Sequence, residues 1–346
     1  IMEKNKIDPT IIGFSAATES AAILLIGPFV PSIIRALGLR KIILIAIIVG
    51  SIALFCIAFS DPLLGWFPLR FILGGAIFIV LIASDIWVTE GTIKRRRGFI
   101  LAIYGTSVTA GIALGPLIIP LVSFDRTFSI LVGSIILASS LLPLFFTNGF
   151  RPHMQKLDGK QSFKILKSMP LILAAALVFG LVDSSALSLL PVFGLRLGMG
   201  EQESVRLVSF LVAGAIFLQL PIGWLSDRFS RRLIIELCAL GGGAASVIFY
   251  FVIDSNWVTW VCLFTIGGTA AALYTVSLAK LGDSYSGGNL ATAISIIAMI
   301  FAIGSTAGPI MGGIAIALWD PYGLNMVIIG SFILVCLTSI IFRRSK

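Results

Sequence analysis

Three ionisable side chains of this 346-residue sequence lie deep inside long apolar runs, where a charge is hard to explain as structure. Asp183 sits eleven residues from the end of a run at 169–194, Glu19 nine residues into a run at 10–34, and Arg70 seven residues into one at 63–89. At 1.5 Å per helical residue the two carboxyls lie about 14–16 Å deep and the guanidinium about 10 Å deep. Ionisable groups at such depths in hydrocarbon are rare and mark substrate or ion pathways. Asp183 and Glu19 are therefore candidates for binding a proton or a substrate, and Arg70 for facing an interior cavity. Gln219 and Tyr274 add polar candidates for substrate contact. The plainer reading makes each acid a neutral, hydrogen-bonded structural carboxyl, with Arg70 snorkelling to the outer interface.

Other chemistries are poorly served. The single histidine, His153, lies in a charged loop, and Cys56, Cys238, Cys262 and Cys336 are scattered singly through apolar runs. Neither metal-ligand nor disulfide spacing is present, so the cysteines read as small hydrophobes. An intramembrane enzyme needs a nucleophile with its base, or a metal cluster, at membrane depth. We expect no catalytic residues, no metal and no cofactor. No G-x4-G-K-[ST] string occurs, which removes the usual sign of ATP driving.

The elements that carry these residues follow from composition. Hydrophobic residues make up 58% of the sequence and charged residues 12%, against about half and a quarter in ordinary globular domains. The apolar runs are long enough to cross a bilayer and lack inside–outside alternation, so they read as helices rather than barrel strands. Eleven spans are expected, at 10–34, 41–59, 63–89, 98–122, 127–146, 169–194, 203–226, 232–253, 257–281, 288–317 and 322–342. Nineteen of the 25 lysines and arginines fall in one alternating set of loops. Basic loops stay in the cytoplasm, which places the C-terminus inside and gives the net charge of +9 an explanation other than nucleic acid.

The sequence repeats itself. Phe71-Ile-Leu-Gly74-Gly75 matches Phe264-Thr-Ile-Gly267-Gly268, and Gly111-x3-Gly115-Pro116 matches Gly304-x3-Gly308-Pro309, both at an offset of 193. The basic loop at Arg40-Lys41 falls opposite Arg231-Arg232 at nearly the same offset. The domain reading is a half bundle at 1–146, a cytoplasmic linker at 147–168, and a second half bundle at 169–346. The repeat mate of 169–194 would precede the sequence. The expectation is eleven helices of a twelve-helix design, without the first and hence without a cavity wall that transport requires.

Gly223-Trp-Leu-Ser-Asp227-Arg228-Phe-Ser-Arg231-Arg232 closes the seventh span. It resembles the G-x3-D-R-x-G-R-R loop signature of the major facilitator superfamily, with Ser230 at the second glycine. The first-half copy has Pro31 and Arg35 where the glycine and aspartate would fall. The resemblance implies an all-α fold of two pseudo-symmetric halves. It also implies a cytoplasmic gate at Gly223, Asp227, Arg228, Arg231 and Arg232. An aspartate at an inner helix end can accept hydrogen bonds from a neighbouring helix N-terminus, here expected to be the fourth span. The same arginines can instead simply anchor topology. Arg70 with Gly74 resembles the family's R-x3-G pattern, and the fold it implies sets Asp183 and Arg70 on the central cavity with Glu19 beside it. Gly111, Gly115 and Pro116 resemble the family's antiporter motif, and Gly304, Gly308, Pro309, Gly312 and Gly313 fit it more fully. Their plain reading is close helix packing through small residues and a proline bend. Asp85-Ile-Trp87-x2-Glu90 and Gln219-x-Pro221-x-Gly223 resemble a bacterial, YcaD-like branch of that superfamily.

The function this implies is secondary active transport of a small molecule by alternating access, coupled to protons, with efflux favoured by the sparse polar inventory of the cavity. Uptake symport or uniport is the alternative, and a non-transporting sensor or decayed transporter the reading from another class. The expected partners are a small-molecule substrate, protons and the lipid bilayer of the cell (inner) membrane, with the chain a monomer.

Overall fold

The computed structural model describes Ala22 and residues 25–60, 65–122, 126–145, 167–252 and 257–342. Every regular element among them is a helix. A 3-10 turn at Gly27–Phe29 leads into α1 (Val30–Leu37), followed by α2 (Leu39–Phe59) and α3 (Trp66–Gly91). Then come α4 (Arg97–Val122), α5 (Arg126–Ser139) and the single turn α6 (Leu142–Phe145). The later elements are α7 (Pro170–Arg196), α8 (Glu201–Phe217), α9 (Gln219–Arg228), α10 (Arg231–Phe251), α11 (Trp257–Ser284), α12 (Gly287–Leu318) and α13 (Gly323–Ile341). Nine spans among the described residues are long and apolar enough to cross a membrane. The 26-residue α4 covers a tenth expected span. Residues 10–21, 23 and 24 of the first expected span lie outside the described residues.

Local chemistry explains the boundaries. Gly38 has φ +78°, a conformation that costs a residue with a Cβ, and it separates α1 from α2. Pro170 opens α7, where its missing N–H is no loss. Ser230 caps α10 by accepting from the Leu233 amide at 3.2 Å. The seventh expected span is broken at Leu218 into α8 and α9. Pro221 has no N–H to donate to the Phe217 carbonyl and its ring crowds that turn. The Thr106 hydroxyl donates to the nearby Ile216 carbonyl at 3.2 Å.

Two compact units emerge, and each gathers segments from both halves of the sequence. One contains the described residues within 1–91, 112–157 and 286–299. Its core includes Ala53, Ile57, Trp66 and Leu73, from α2 and α3. The other contains those within 92–111, 158–285 and 300–346. There α7, α8, α10, α11 and α13 share a core that includes Phe193, Leu211, Ile235, Leu263, Phe249 and Phe332. Of the nine spans, α11 is the most enclosed. Its Gly267 and Gly268 make this possible: a Cβ on Gly267 would run into the Leu211 carbonyl, and one on Gly268 would lie 2.7 Å from the Gly214 carbonyl oxygen.

The outward faces are apolar as well. Along α10, Leu233, Leu237, Leu240, Val247 and Ile248 are exposed at helical spacing. Along α2, Ile45, Ile48, Val49, Ile52, Phe55 and Phe59 are exposed likewise. A water-soluble fold buries such stripes, whereas lipid is their natural solvent. The chain is an all-α, multi-pass membrane protein.

Candidate functional site

The first four amides of a helix have no intrahelical partner, and α4 satisfies two of them with a carboxylate from another helix. Asp227, one residue from the end of α9, accepts from the Gly98 amide at 2.7 Å and the Phe99 amide at 2.8 Å. The approach depends on two glycines. A Cβ on Gly223 would lie 2.7 Å from the Gly98 carbonyl oxygen, and one on Gly98 would lie 2.6 Å from the Gly223 carbonyl oxygen. Asp227 also pairs with Arg231 at 2.7 Å, the two side chains being 8% and 9% exposed. Arg231 reaches on to the Ser226 hydroxyl at 2.6 Å and to Asp283 at 3.2 Å. Asp283, near the end of α11, in turn pairs with Arg97 at 2.8 Å, and Arg97 donates to the Thr92 carbonyl at 3.1 Å.

Two aspartates and two arginines thus share a nearly dry site with no net charge. Desolvation offsets much of the Coulombic gain in such a network, so it adds little absolute stability. Breaking it leaves buried charges uncompensated, at about 3–5 kcal/mol per broken buried pair. That combination suits a contact that is either fully made or fully released.

The remaining loop arginines differ. The Arg228 guanidinium stacks 3.6 Å from the centroid of the Trp224 ring. Arg232 bonds Glu236 at 2.9 Å and the Ser339 carbonyl at 2.7 Å, so it ties α10 to α13 away from the Asp227 cluster.

Farther along the same unit, Asp183 occupies a half-buried position on α7. Among the described residues it forms no ion pair. One turn away on the same face, Phe179 stacks on Phe301 at 5.2 Å and packs against Tyr274 at 5.6 Å. Gln219 is buried and donates to the Thr275 hydroxyl, and the Thr106 hydroxyl reaches its side-chain oxygen at 3.4 Å. Arg70 is half-buried on α3, in the other unit. Glu19 lies outside the described residues.

The glycine motifs separate. A Cβ on Gly304 would overlap the Leu177 carbonyl, and one on Gly308 would lie 2.6 Å from the Leu181 carbonyl oxygen, so both hold α12 against α7. Gly180 on α7 returns the contact against Phe301. Pro309 lies within α12 without ending it. Gly111 is exposed, and a Cβ there would meet nothing within 4 Å among the described residues. The side-chain surroundings of Gly115 and Pro116 lie outside what is described. In the first unit Asp85 is buried, and Glu90 accepts from the Gly287 amide at 2.9 Å, at the start of α12.

Sequence reasoning missed Asp283, Arg97, Ser226, Thr106 and Thr275, as well as the helix-capping contact of Glu90. A signal for Asp283 existed: the repeat offset of 193 aligns it with Glu90, an acid at the same end of the matching helix.

The sequence model of the Major Facilitator Superfamily matches residues 1–217 and 202–346. YfkF of Bacillus subtilis, an uncharacterized MFS-type transporter, is 28% identical over 321 residues, covering 90% of this chain and 81% of that protein. YcaD of Escherichia fergusonii, likewise an uncharacterized MFS-type transporter, is 24% identical over 285 residues, covering 80% and 72%. Among solved structures, the proton:xylose symporter XylE superposes with a TM-score of 0.80 at 13% identity, over 96% of this chain and 86% of that one. The E. coli fucose:proton symporter FucP gives 0.77 at 15%, over 96% and 91%. The human organic anion transporter TETRAN gives 0.79 at 16%, over 94% and 83%. At these identities the structures speak for the fold, while the matched sequence model decides the family: the chain belongs to the Major Facilitator Superfamily of membrane transporters.

Proposed function

We propose that this transporter moves a small amphipathic molecule out of the cell by alternating access, coupled to protons through Asp183. Asp183 carries the reading: an acid deep in α7, half-buried, beside the Phe179–Tyr274–Phe301 cluster and without an ion pair among the described residues. An acid held this way has a chemical reason to bind a proton that a salt-bridged one lacks. Gln219 and Tyr274, in the same unit, serve as further substrate contacts. The Asp227–Arg231–Asp283–Arg97 network, with Gly223 allowing the approach, acts as the latch of the cytoplasmic side. The excess of basic residues in the loops of that face supports this orientation, with the C-terminus inside the cell membrane.

The test uses the full chain in proteoliposomes, with ethidium as an amphipathic probe and a pH-sensitive dye to follow protons. Ethidium should drive proton movement in the opposite direction, and Asp183→Asn should abolish that movement while ethidium counterflow continues. Proton movement equal to wild type in Asp183→Asn would remove the acid from the mechanism. A second reading, uptake by symport, draws on XylE and FucP, proton symporters that share this fold. It predicts protons moving in the same direction as xylose.

A further inference from the structure

The arginines around Asp227 fall into two sets. Arg97 and Arg231 are buried and paired with Asp227 and Asp283. Arg95, Arg96 and Arg228 are exposed and form no ion pair among the described residues. These three share a cavity of about 680 Å³ with Phe99, Trp224 and Asp227. Asp227 does not neutralise them, because its oxygens are occupied by the Gly98 and Phe99 amides and by Arg231. The cavity therefore presents three guanidinium groups to whatever enters it. Its other wall is apolar: Trp224 and Phe99 are 43% and 38% exposed. Guanidinium groups match phosphate oxygens in fork geometry, and an aromatic wall beside them at a membrane boundary suits the glycerol and acyl region of a lipid.

We propose that this cavity binds the phosphate of an anionic phospholipid, held by Arg95, Arg96 and Arg228, with its acyl region against Trp224 and Phe99. Arg95, Arg96 and Phe99 come from the approach to α4 and its first turn, whereas Trp224 and Arg228 come from α9. A bound headgroup thus spans the two helices that Asp227 joins. Binding does not depend on the proton-coupling reading, so each can fail alone.

The experiment places the full chain in phosphatidylcholine nanodiscs containing a graded fraction of brominated phosphatidylglycerol, which quenches nearby tryptophan fluorescence. Comparison with Trp224→Phe isolates the Trp224 signal. Each arginine near an anionic surface contributes about a fivefold preference, so three give a preference for phosphatidylglycerol over phosphatidylcholine on the order of a hundredfold at low salt. Arg95→Gln, Arg96→Gln and Arg228→Gln together should erase it. The corresponding triple lysine variant, with charge kept, should retain most of it and shows that the loss is not misfolding. Equal preference in wild type and the glutamine variant would overturn the site. Relief of quenching by millimolar inorganic phosphate would overturn the lipid as ligand and reassign the cavity to a free phosphate.

Discussion

Replacing Asp227 by asparagine keeps the size of the side chain and removes its charge, which makes it the cleanest test of the latch. The carboxylate accepts from Gly98 and Arg231 through one oxygen and from Phe99 through the other. Asparagine keeps one acceptor. With its oxygen placed toward Gly98 and Arg231, its NH2 faces the Phe99 N–H, donor against donor, and that bond is lost. A hydrogen bond to a charged group is worth about 1.5–3 kcal/mol, and the lost charge at a helix N-terminus about 0.3–1 kcal/mol more. Together they cost about 2–4 kcal/mol, or on the order of 30- to 1000-fold in the balance between closed and open forms. Arg231 retains Asp283, so the rest of the network has a partner to fall back on. Amide hydrogen exchange in nanodiscs reads the outcome directly. Phe99 should lose its protection outright, Gly98 should lose part of it, and amides in the middle of α4 should be unchanged. Undiminished protection at both Gly98 and Phe99 would refute the reasoning, because it would mean that the carboxylate does not hold this helix end.

Asp283→Asn strips both Arg97 and Arg231 of a carboxylate and should lower thermal stability by about 3 kcal/mol, the low end for a broken buried pair. Its effect should be more than additive with Asp227→Asn, since each single variant leaves Arg231 one carboxylate and the double leaves it none, and a double-mutant cycle of melting temperatures measures this. Gly304→Leu forces α12 away from the Leu177 carbonyl and should cost at least about 1–3 kcal/mol in detergent unfolding. Gly313→Leu, where a Cβ meets nothing within 4 Å among the described residues, should leave the melting temperature unchanged. Thr275→Val leaves the buried Gln219 amide short of an acceptor and should cost about 1–3 kcal/mol by the same measurement.

The membrane spans were legible because lipid demands long apolar runs whatever their packing. The boundaries of α7 and α12 fall within two residues of those expected from sequence. The break at Leu218 was not foreseen, although Pro221 carries its cause. An apolar run reads as continuous, and a proline inside it does not by itself say whether the helix ends, bends or runs on. The acceptor role of Asp227 could be reasoned from one end of one helix. The pairs of Asp283 could not, because its partners lie 52 and 186 residues away and pairing at that range leaves no local periodicity; the repeat offset marked only the acid's position at the helix end. Arg231 and Arg232 are adjacent and chemically equal in the sequence. Successive helical residues face different neighbours, which sends one into the Asp227 network and the other to α13.

The interruption at Leu218 also has a mechanical consequence. A helix resists bending because each turn is bonded to the next, and at Phe217 that bond is missing. Stiffness along α8 and α9 is therefore lowest at their junction, some ten residues from Asp227. Segment Gln219–Arg228 becomes a short arm pivoting on a fixed base, with α8 anchored where Leu211 meets Gly267. The Leu218 amide still bonds the Gly214 carbonyl at 2.9 Å and the Ile222 amide the Leu218 carbonyl at 3.1 Å, so the junction is a weak point in one continuous rod and not a gap between two.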